Sequence, residues 1–170
     1  MSEHIPSALR REVTERAADC CEYCLTQERF SCDPLTMDHI VPRILDGPTE
    51  SANLAAACYG CNQHKSLLMT AIDPATGELA LLFNPRQQAW EEHFTWSNDF
   101  TVVLGLSATG RATVVALQLN RPGLLNLQRY TLSSSTRHHE IANNLRLGRL
   151  MVGCHLSVDI SQARRRSSSE

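Results

Sequence analysis

Two Cys-x-x-Cys pairs constrain this chain of 170 residues more than any other feature. The first pair extends from Cys21 to Cys24, and the second from Cys58 to Cys61. Two intervening residues let both sulfurs of a pair turn toward one ion, and two pairs complete a closed tetrahedral Zn²⁺ shell. Because that shell has no open position, we expect a structural zinc ion. The four predicted ligands are Cys21, Cys24, Cys58 and Cys61.

One alternative first ligand is Cys20, but three residues separate it from Cys24, so Cys21 fits the spacing better. Gly60 is expected to ease the tight turn of the second pair. The chain has 7 cysteines, and an odd number without an export signal favours metal ligation over a disulfide framework.

The N-terminal sequence lacks the basic start and apolar stretch of a secretion signal. No apolar run reaches the roughly 18 residues of a transmembrane helix. We therefore expect a cytoplasmic protein with no membrane association. Aromatic residues make up only 5% of the chain, which predicts a mostly aliphatic core.

Charge is distributed unevenly along the chain. Residues 1–119 hold 8 Lys and Arg against 15 Asp and Glu, a net charge of −7, whereas residues 120–170 hold 8 Arg against 3 acidic residues, a net charge of +5. A basic C-terminal part could contact phosphates. A solvated surface with a disordered tail explains the same composition equally well.

Hydrophobic periodicity and turn residues predict an α+β fold. In its first part we expect a helix over 7–19 with Ser7 as N-cap, strands over 36–41 and 53–57, and a helix from about 59–62 to 70. Strand, turn, strand and helix form a compact ββα unit. For the later part we expect a strand over 79–83, a helix over 85–94 with Pro85 at its start, a hairpin of strands 101–106 and 112–119, and a helix over 122–132.

These elements suggest three regions. Residues 1–70 would form the domain that holds the cysteine pairs, and 71–132 an extension packed on it. Residues 133–170 would form a C-terminal segment that ends in a disordered basic tail.

Between the cysteine pairs lies an insert that carries polar residues in a recognisable order. It contains Asp38-His39-Ile40-Val41-Pro42, then Asn53, and Asn62 follows the second pair directly. This pattern resembles the HNH endonuclease family, in its zinc-knuckled branch with Asn at the third motif position. The stretch DPATGELALLFNPRQQAWEEHFTWS resembles the extension of a bacterial, often cyanobacterial, HNH subgroup.

The resemblance implies a ββα-metal core and roles for individual residues. The unperturbed pKa of a histidine suits His39 as the general base that takes a proton from water. Asp38 and Asn62 supply hard oxygen ligands for a catalytic Mg²⁺ or Mn²⁺. By analogy with the family, Asn53 holds the loop after His39 through backbone hydrogen bonds. Lys65, the only lysine in the chain, could contact phosphate.

Two points stay open at this level. Adjacent strand residues point to opposite faces, so Asp38 and His39 serve one site only if the strand ends or bulges there. His64 is a rival to Asn62 as a metal ligand or phosphate contact, because both would lie on the first helical turn.

The function implied is hydrolysis of phosphodiester bonds in DNA by a single-metal mechanism. The alternatives are a catalytically weak nucleic-acid-binding module that a zinc ion stabilises, and a protein-interaction module. No recognisable specificity domain is present in the sequence, so a protein partner could supply specificity.

Overall fold

The computed structural model describes residues 5–133, and side chains are described only as far as residue 129. The predicted C-terminal segment, 133–170, therefore lies outside the described residues except for its first residue. The described chain has the mixed helix and strand content that the sequence predicts. Its helices are α1 Ser7–Arg16, α2 Tyr59–Lys65, α3 Trp90–His93, α4 Ala108–Ala116 and α5 Pro122–Ser133. Its strands are β1 Thr36–His39, β2 Leu54–Ala57, β3 Thr70–Ile72, β4 Leu79–Leu81, β5 Phe94–Trp96 and β6 Val103–Gly105.

The strands form three separate antiparallel pairs. In the first, β1 pairs with β2 so that Asp38 lies opposite Ala55 and His39 opposite Leu54. Strand β2 is buried along its whole length, because its small residues let α1 and α2 approach it closely. The helix α2 begins one residue after Cys58. The first pair and α2 thus occupy the segment for which the sequence predicts strand, turn, strand and helix.

Two further hairpins, β3–β4 and β5–β6, belong to the predicted extension. The turn between β3 and β4 is held by Asp73, which accepts hydrogen bonds from Ala75 and Thr76. Both carboxylate oxygens of Asp73 also bind the guanidinium of Arg111, at 2.7 and 2.8 Å. This fully buried carboxylate fastens the β3–β4 turn to α4.

The hairpin predicted over 101–119 is wrong, because residues 108–116 form α4. Ser107 caps this helix by accepting a hydrogen bond from Gly110 N at 3.0 Å. Close packing excludes any residue but glycine at position 110, since a Cβ there would lie 1.9 Å from the carbonyl oxygen of His93. The β-branched run 113–115 favours a strand locally, but these tertiary contacts override that preference.

Two other boundaries differ from the prediction. Ser7 is the first helical residue of α1 and Pro6 precedes it, so Ser7 is not the N-cap. The helix predicted over 85–94 is limited to Trp90–His93. Asn84 ends the preceding stretch in a turn, where its carbonyl accepts from Gln87 N and Gln88 N.

Most buried side chains are aliphatic, alanine or cysteine, but aromatic rings connect the two halves of the core. The ring centroid of Phe94 lies 5.1 Å from that of Phe83 and 5.2 Å from that of Trp90. The indole nitrogen of Trp90 donates to the carbonyl of Tyr23 at 3.0 Å. Trp90 thereby contacts the segment that carries the first cysteine pair.

Among the described residues, none of the helices combines the length and the apolar character that crossing a lipid bilayer requires.

Candidate metal centre and active site

The four predicted zinc ligands converge in the interior. The sulfurs of Cys21, Cys24, Cys58 and Cys61 all lie within 4.8 Å of one another, and all four residues are buried. Cys24 Sγ and Cys58 Sγ are 3.7 Å apart. Tetrahedral coordination with Zn–S bonds of about 2.3 Å places sulfurs about 3.8 Å apart. The donor set and its spacing therefore fit a zinc ion, and Cys20 is not part of the cluster.

Backbone hydrogen bonds fix the first cysteine pair against the sheet. Glu22 N donates to Ala56 O at 2.8 Å, and the Glu22 carboxylate accepts from Ala56 N at 2.8 Å. Leu25 N closes the turn on Cys21 O, and Leu25 itself has a φ of 57°. The second pair needs no such turn, since Cys58 precedes α2 and Cys61 lies within it. The sheet and the helix start thus bring the two pairs together.

The protonation of the thiols depends on their neighbours. Burial raises the pKa of the Cys21 thiol well above its ordinary value. Hydrogen bonds from Cys21 and Cys24 lower the pKa of Cys58. Zinc binds thiolates, so loading the cluster with zinc releases protons and stabilises the folded chain.

Arg121 is a contact to this cluster that sequence reasoning missed. Its Nη2 donates to Cys58 Sγ at 3.2 Å and its Nη1 to Cys61 Sγ at 3.6 Å. A Cβ on Gly60 would lie 2.6 Å from the guanidinium. Gly60 therefore makes room for Arg121 rather than easing a tight turn. A positive charge at this place offsets part of the negative charge of four thiolates.

Asp38 is buried between two donors. The hydroxyl of Tyr23 donates to Asp38 Oδ2 at 2.5 Å, and Lys65 Nζ lies 3.1 Å from each carboxylate oxygen. Burial raises the pKa of the Asp38 carboxyl, while the charge of Lys65 and the hydrogen bond from Tyr23 oppose that shift. Lys65 also donates to His39 O at 3.0 Å.

Lys65 is 1% exposed, so its ammonium lies against Asp38 instead of on the surface. A phosphate contact, which the sequence suggests for Lys65, would require an exposed ammonium, and this ammonium is buried. The sequence offered no signal for this ion pair, because the two residues are 27 positions apart.

His39 is the last residue of β1. The strand therefore ends directly after Asp38 and His39, the two adjacent residues that are expected to serve one site. Its Nε2 lies 3.0 Å from Thr49 Oγ1 in the connection between β1 and β2. Partial burial lowers the pKa of His39, and the nearby positive charge of Arg43 lowers it further. The imidazole is thereby oriented by Thr49 and kept in its neutral form at lower pH than a free histidine.

The connection after His39 is organised by Asn53. Its Oδ1 accepts from Val41 N at 2.9 Å, and its Nδ2 donates to Val41 O and to Pro48 O. Gly47 lies inside this turn, and a Cβ there would lie 1.8 Å from Val41 O. The side chain of Asn53, which is 7% exposed, thus makes the backbone contacts that the resemblance implies for it.

Asn62 lies on α2, half-buried against β1. Its Nδ2 donates to Thr36 Oγ1 at 2.9 Å. Thr36 and Asp38 are two residues apart on β1 and therefore share the face toward α2. The structure brings Asp38 and Asn62 to one interface between strand and helix, although they bind different side chains there. His64, the rival of Asn62, is half-buried on the same helix.

Comparison with known proteins agrees with this geometry. Neither the curated proteins nor the solved structures include a match to the chain. Residues 21–67 match the family model described as HNH endonuclease, and this segment contains both cysteine pairs, Asp38, His39, Asn53 and Asn62. Over residues 21–67 the chain is therefore similar to the HNH endonucleases.

Proposed function

We propose that this protein is a metal-dependent endonuclease that hydrolyses phosphodiester bonds in DNA by a single-metal mechanism. The observation that carries the proposal is the position of His39. It ends β1 with its imidazole on Thr49, beside the buried carboxylate of Asp38 and within the segment similar to HNH endonucleases. This neighbourhood pairs a neutral imidazole with hard oxygen donors, as phosphodiester hydrolysis requires.

The general base in this proposal is His39. If Nε2 carries the proton and donates it to Thr49 Oγ1, then Nδ1 holds the free electron pair that takes a proton from water. Thr49 would thereby select the tautomer. The lowered pKa keeps that electron pair free in neutral solution.

Asp38 and Asn62 are the proposed oxygen ligands of the catalytic ion. Asp38 Oδ1 accepts only from Lys65 and keeps a second lone pair, and the bond from Asn62 Nδ2 to Thr36 leaves Asn62 Oδ1 as an acceptor. This set suits Mg²⁺ or Mn²⁺. Such an ion, when bound, would relieve the negative charge on the phosphate and on the leaving oxygen.

Lys65 has a different role in this proposal from the one that the sequence suggests. Its buried ammonium balances the charge of Asp38 and holds the carbonyl of His39, so it maintains the end of β1. Replacing Lys65 should therefore reduce stability as well as activity, whereas a phosphate contact would affect substrate binding alone.

Four further features complete the proposal. The products would be 5′-phosphate and 3′-hydroxyl ends. A protein partner would supply specificity, since the sequence carries no recognisable specificity domain. The location would be the bacterial cytoplasm. The cysteine cluster would bind a structural zinc ion.

A plasmid-nicking assay with Mg²⁺, Mn²⁺ or EDTA tests this function. Wild type should nick in either metal and not in EDTA, and His39→Ala should lose nicking. His64→Ala is the matched variant, because this histidine lies on α2 but makes none of the hydrogen bonds described for the site; with Asn62 as the metal ligand, it should retain nicking. If wild type and His39→Ala cut DNA and RNA equally little, the endonuclease proposal is rejected.

The second candidate is a module that binds nucleic acid without cutting it. The excess of acidic residues over 1–119 favours weak backbone binding, so this candidate needs a direct test. Binding through phosphates must weaken steeply as salt rises. Salt-sensitive DNA binding together with no metal-dependent nicking would favour the binding module.

A further inference from the structure

Tyr23 lies in the middle of the first cysteine pair, yet its hydroxyl reaches a different part of the molecule. The side chain is fully buried, and the hydroxyl donates to Asp38 Oδ2 at 2.5 Å. Distances of about 2.5–2.7 Å are typical of hydroxyl donors on a carboxylate. A buried hydroxyl is costly without a partner, and phenylalanine would fill the same space without that cost. The hydrogen bond to Asp38 is therefore what distinguishes tyrosine from phenylalanine at this position.

Both donors to Asp38 belong to segments that the cysteine cluster holds. Tyr23 lies between Cys21 and Cys24, and Lys65 follows Cys61 by four residues on α2. Residues four apart on a helix lie on one face, so the Lys65 side chain projects from the face that carries Cys61. An ion that joins the two cysteine pairs therefore also fixes the two donors on either side of the Asp38 carboxylate.

The backbone around Tyr23 is held from two directions. Glu22, its neighbour, exchanges two hydrogen bonds with Ala56 of β2. The carbonyl of Tyr23 accepts from the indole of Trp90. These contacts fix the backbone from which the buried phenol ring reaches Asp38.

We infer that Tyr23 is a positioning residue, which orients the Asp38 carboxylate for the catalytic divalent ion, and that zinc at the cysteine cluster fixes Tyr23 in place. The inference rests on the proposed function, because it requires Asp38 to bind the catalytic ion. The structural zinc centre and the catalytic centre are then one linked unit rather than two independent sites.

The test compares Tyr23→Phe with Tyr59→Phe. Tyr59 is the matched control because it lies inside the second cysteine pair, but it is 56% exposed. Each protein is assayed for zinc content, thermal unfolding, Mn²⁺ affinity by electron paramagnetic resonance, and the Mn²⁺ concentration that gives half-maximal nicking. Tyr23→Phe should keep one zinc per chain and bind Mn²⁺ on the order of tenfold more weakly, as the loss of a partner to a metal ligand typically does. Tyr59→Phe should match wild type.

Unchanged Mn²⁺ affinity in zinc-loaded Tyr23→Phe would overturn the inference while leaving the nuclease intact if nicking persists. Tyrosine-dependent Mn²⁺ binding without cleavage would support the inference and reject the nuclease. If Tyr23→Phe does not fold, 3-fluorotyrosine labelling of wild type, Tyr59→Phe and Tyr130→Phe provides a second readout, in which the two variants assign the Tyr23 resonance by elimination. The fluorine resonance of Tyr23 should then shift on saturation with Mg²⁺, and an unmoved resonance would overturn the inference.

Discussion

Asn53 and Val41 are joined by two hydrogen bonds that close the turn after β1. Val41 N donates to Asn53 Oδ1 at 2.9 Å, and Asn53 Nδ2 donates back to Val41 O at 3.0 Å. The same Nδ2 reaches Pro48 O at 2.9 Å. One amide side chain therefore spans both ends of the turn between His39 and Thr49.

Replacing Asn53 with aspartate should damage this turn selectively. The change keeps the acceptor for Val41 N but removes the donor to two carbonyl oxygens, and it places a negative charge against them. We expect a loss of about 1–3 kcal/mol in the free energy of unfolding, because two part-buried carbonyl acceptors lose their donor. Nicking should fall as His39 and Thr49 lose their common support. Thermal unfolding and the plasmid assay measure both effects.

Asn84→Asp is the control for that variant. Asn84 uses its Oδ1 to accept from Arg86 N at 2.9 Å, which aspartate also does. This variant should retain wild-type nicking. Equal stability in Asn53→Asp and wild type would show that the turn does not depend on the Asn53 amide.

The pH dependence of nicking should report His39. Its pKa lies below the ordinary value of 6.5, first because of partial burial and then because of Arg43. The base must be neutral, so activity should rise as pH increases through the lowered pKa and become constant above it. A bound divalent ion would shift the midpoint in the same direction. The midpoint of the acidic limb should therefore lie below 6.5.

Arg43→Gln should move this midpoint upward, since it removes a positive charge that disfavours the imidazolium. Arg29→Gln changes an exposed arginine on another turn and should leave the midpoint where it is. A wild-type midpoint above 6.5 would contradict His39 as the base in this environment. The nicking rate must be measured at a saturating concentration of Mg²⁺ or Mn²⁺, so that pH-dependent metal binding does not mask the rise in rate at acidic pH.

Thr49 should affect the rate without affecting the charge of the site. Thr49→Val keeps the shape and removes the partner of His39 Nε2, so the imidazole loses its orientation and tautomer preference. We expect about a tenfold lower rate constant, a part of the 10²–10⁴ that a positioned base contributes. Thr49→Ser should restore most of the rate. Equal rates for the valine and serine variants would show that the hydroxyl of Thr49 has no role.

The sequence predicted those parts of the site that depend on local spacing. The cysteine pairs, the end of β1 before Pro42 and the start of α2 follow from short patterns, and they converge as expected. It did not predict contacts made across the fold. Tyr23 reaches Asp38 over 15 positions, and Arg121 reaches Cys58 over 63. Periodicity along one element carries no information about such pairs.

The extension was predicted less accurately for a related reason. The run Ala112–Leu119 alternates well enough for a strand, and its helical state depends on the cap at Ser107 and the close contact of Gly110 with His93. Strand β3 was not predicted, because three residues with half-exposed side chains give little pattern. Short elements whose stability comes from tertiary contacts leave weak signals in the sequence.

Arg121 should slow the loss of zinc from the cysteine cluster. Its guanidinium donates to Cys58 and Cys61, so it reduces the electron density available on both sulfurs and covers them from solvent. Arg121→Ala should transfer zinc to a chelating dye several-fold faster than wild type. Arg121→Lys should be intermediate, because an ammonium is a point charge that does not present the two donors of the guanidinium fork. Arg129→Ala, which changes an exposed arginine on α5, is the control. If Arg121→Ala and Arg129→Ala release zinc at the same rate as wild type, the guanidinium contributes nothing to zinc retention, and its contact with the thiolates is incidental to the stability of the metal centre.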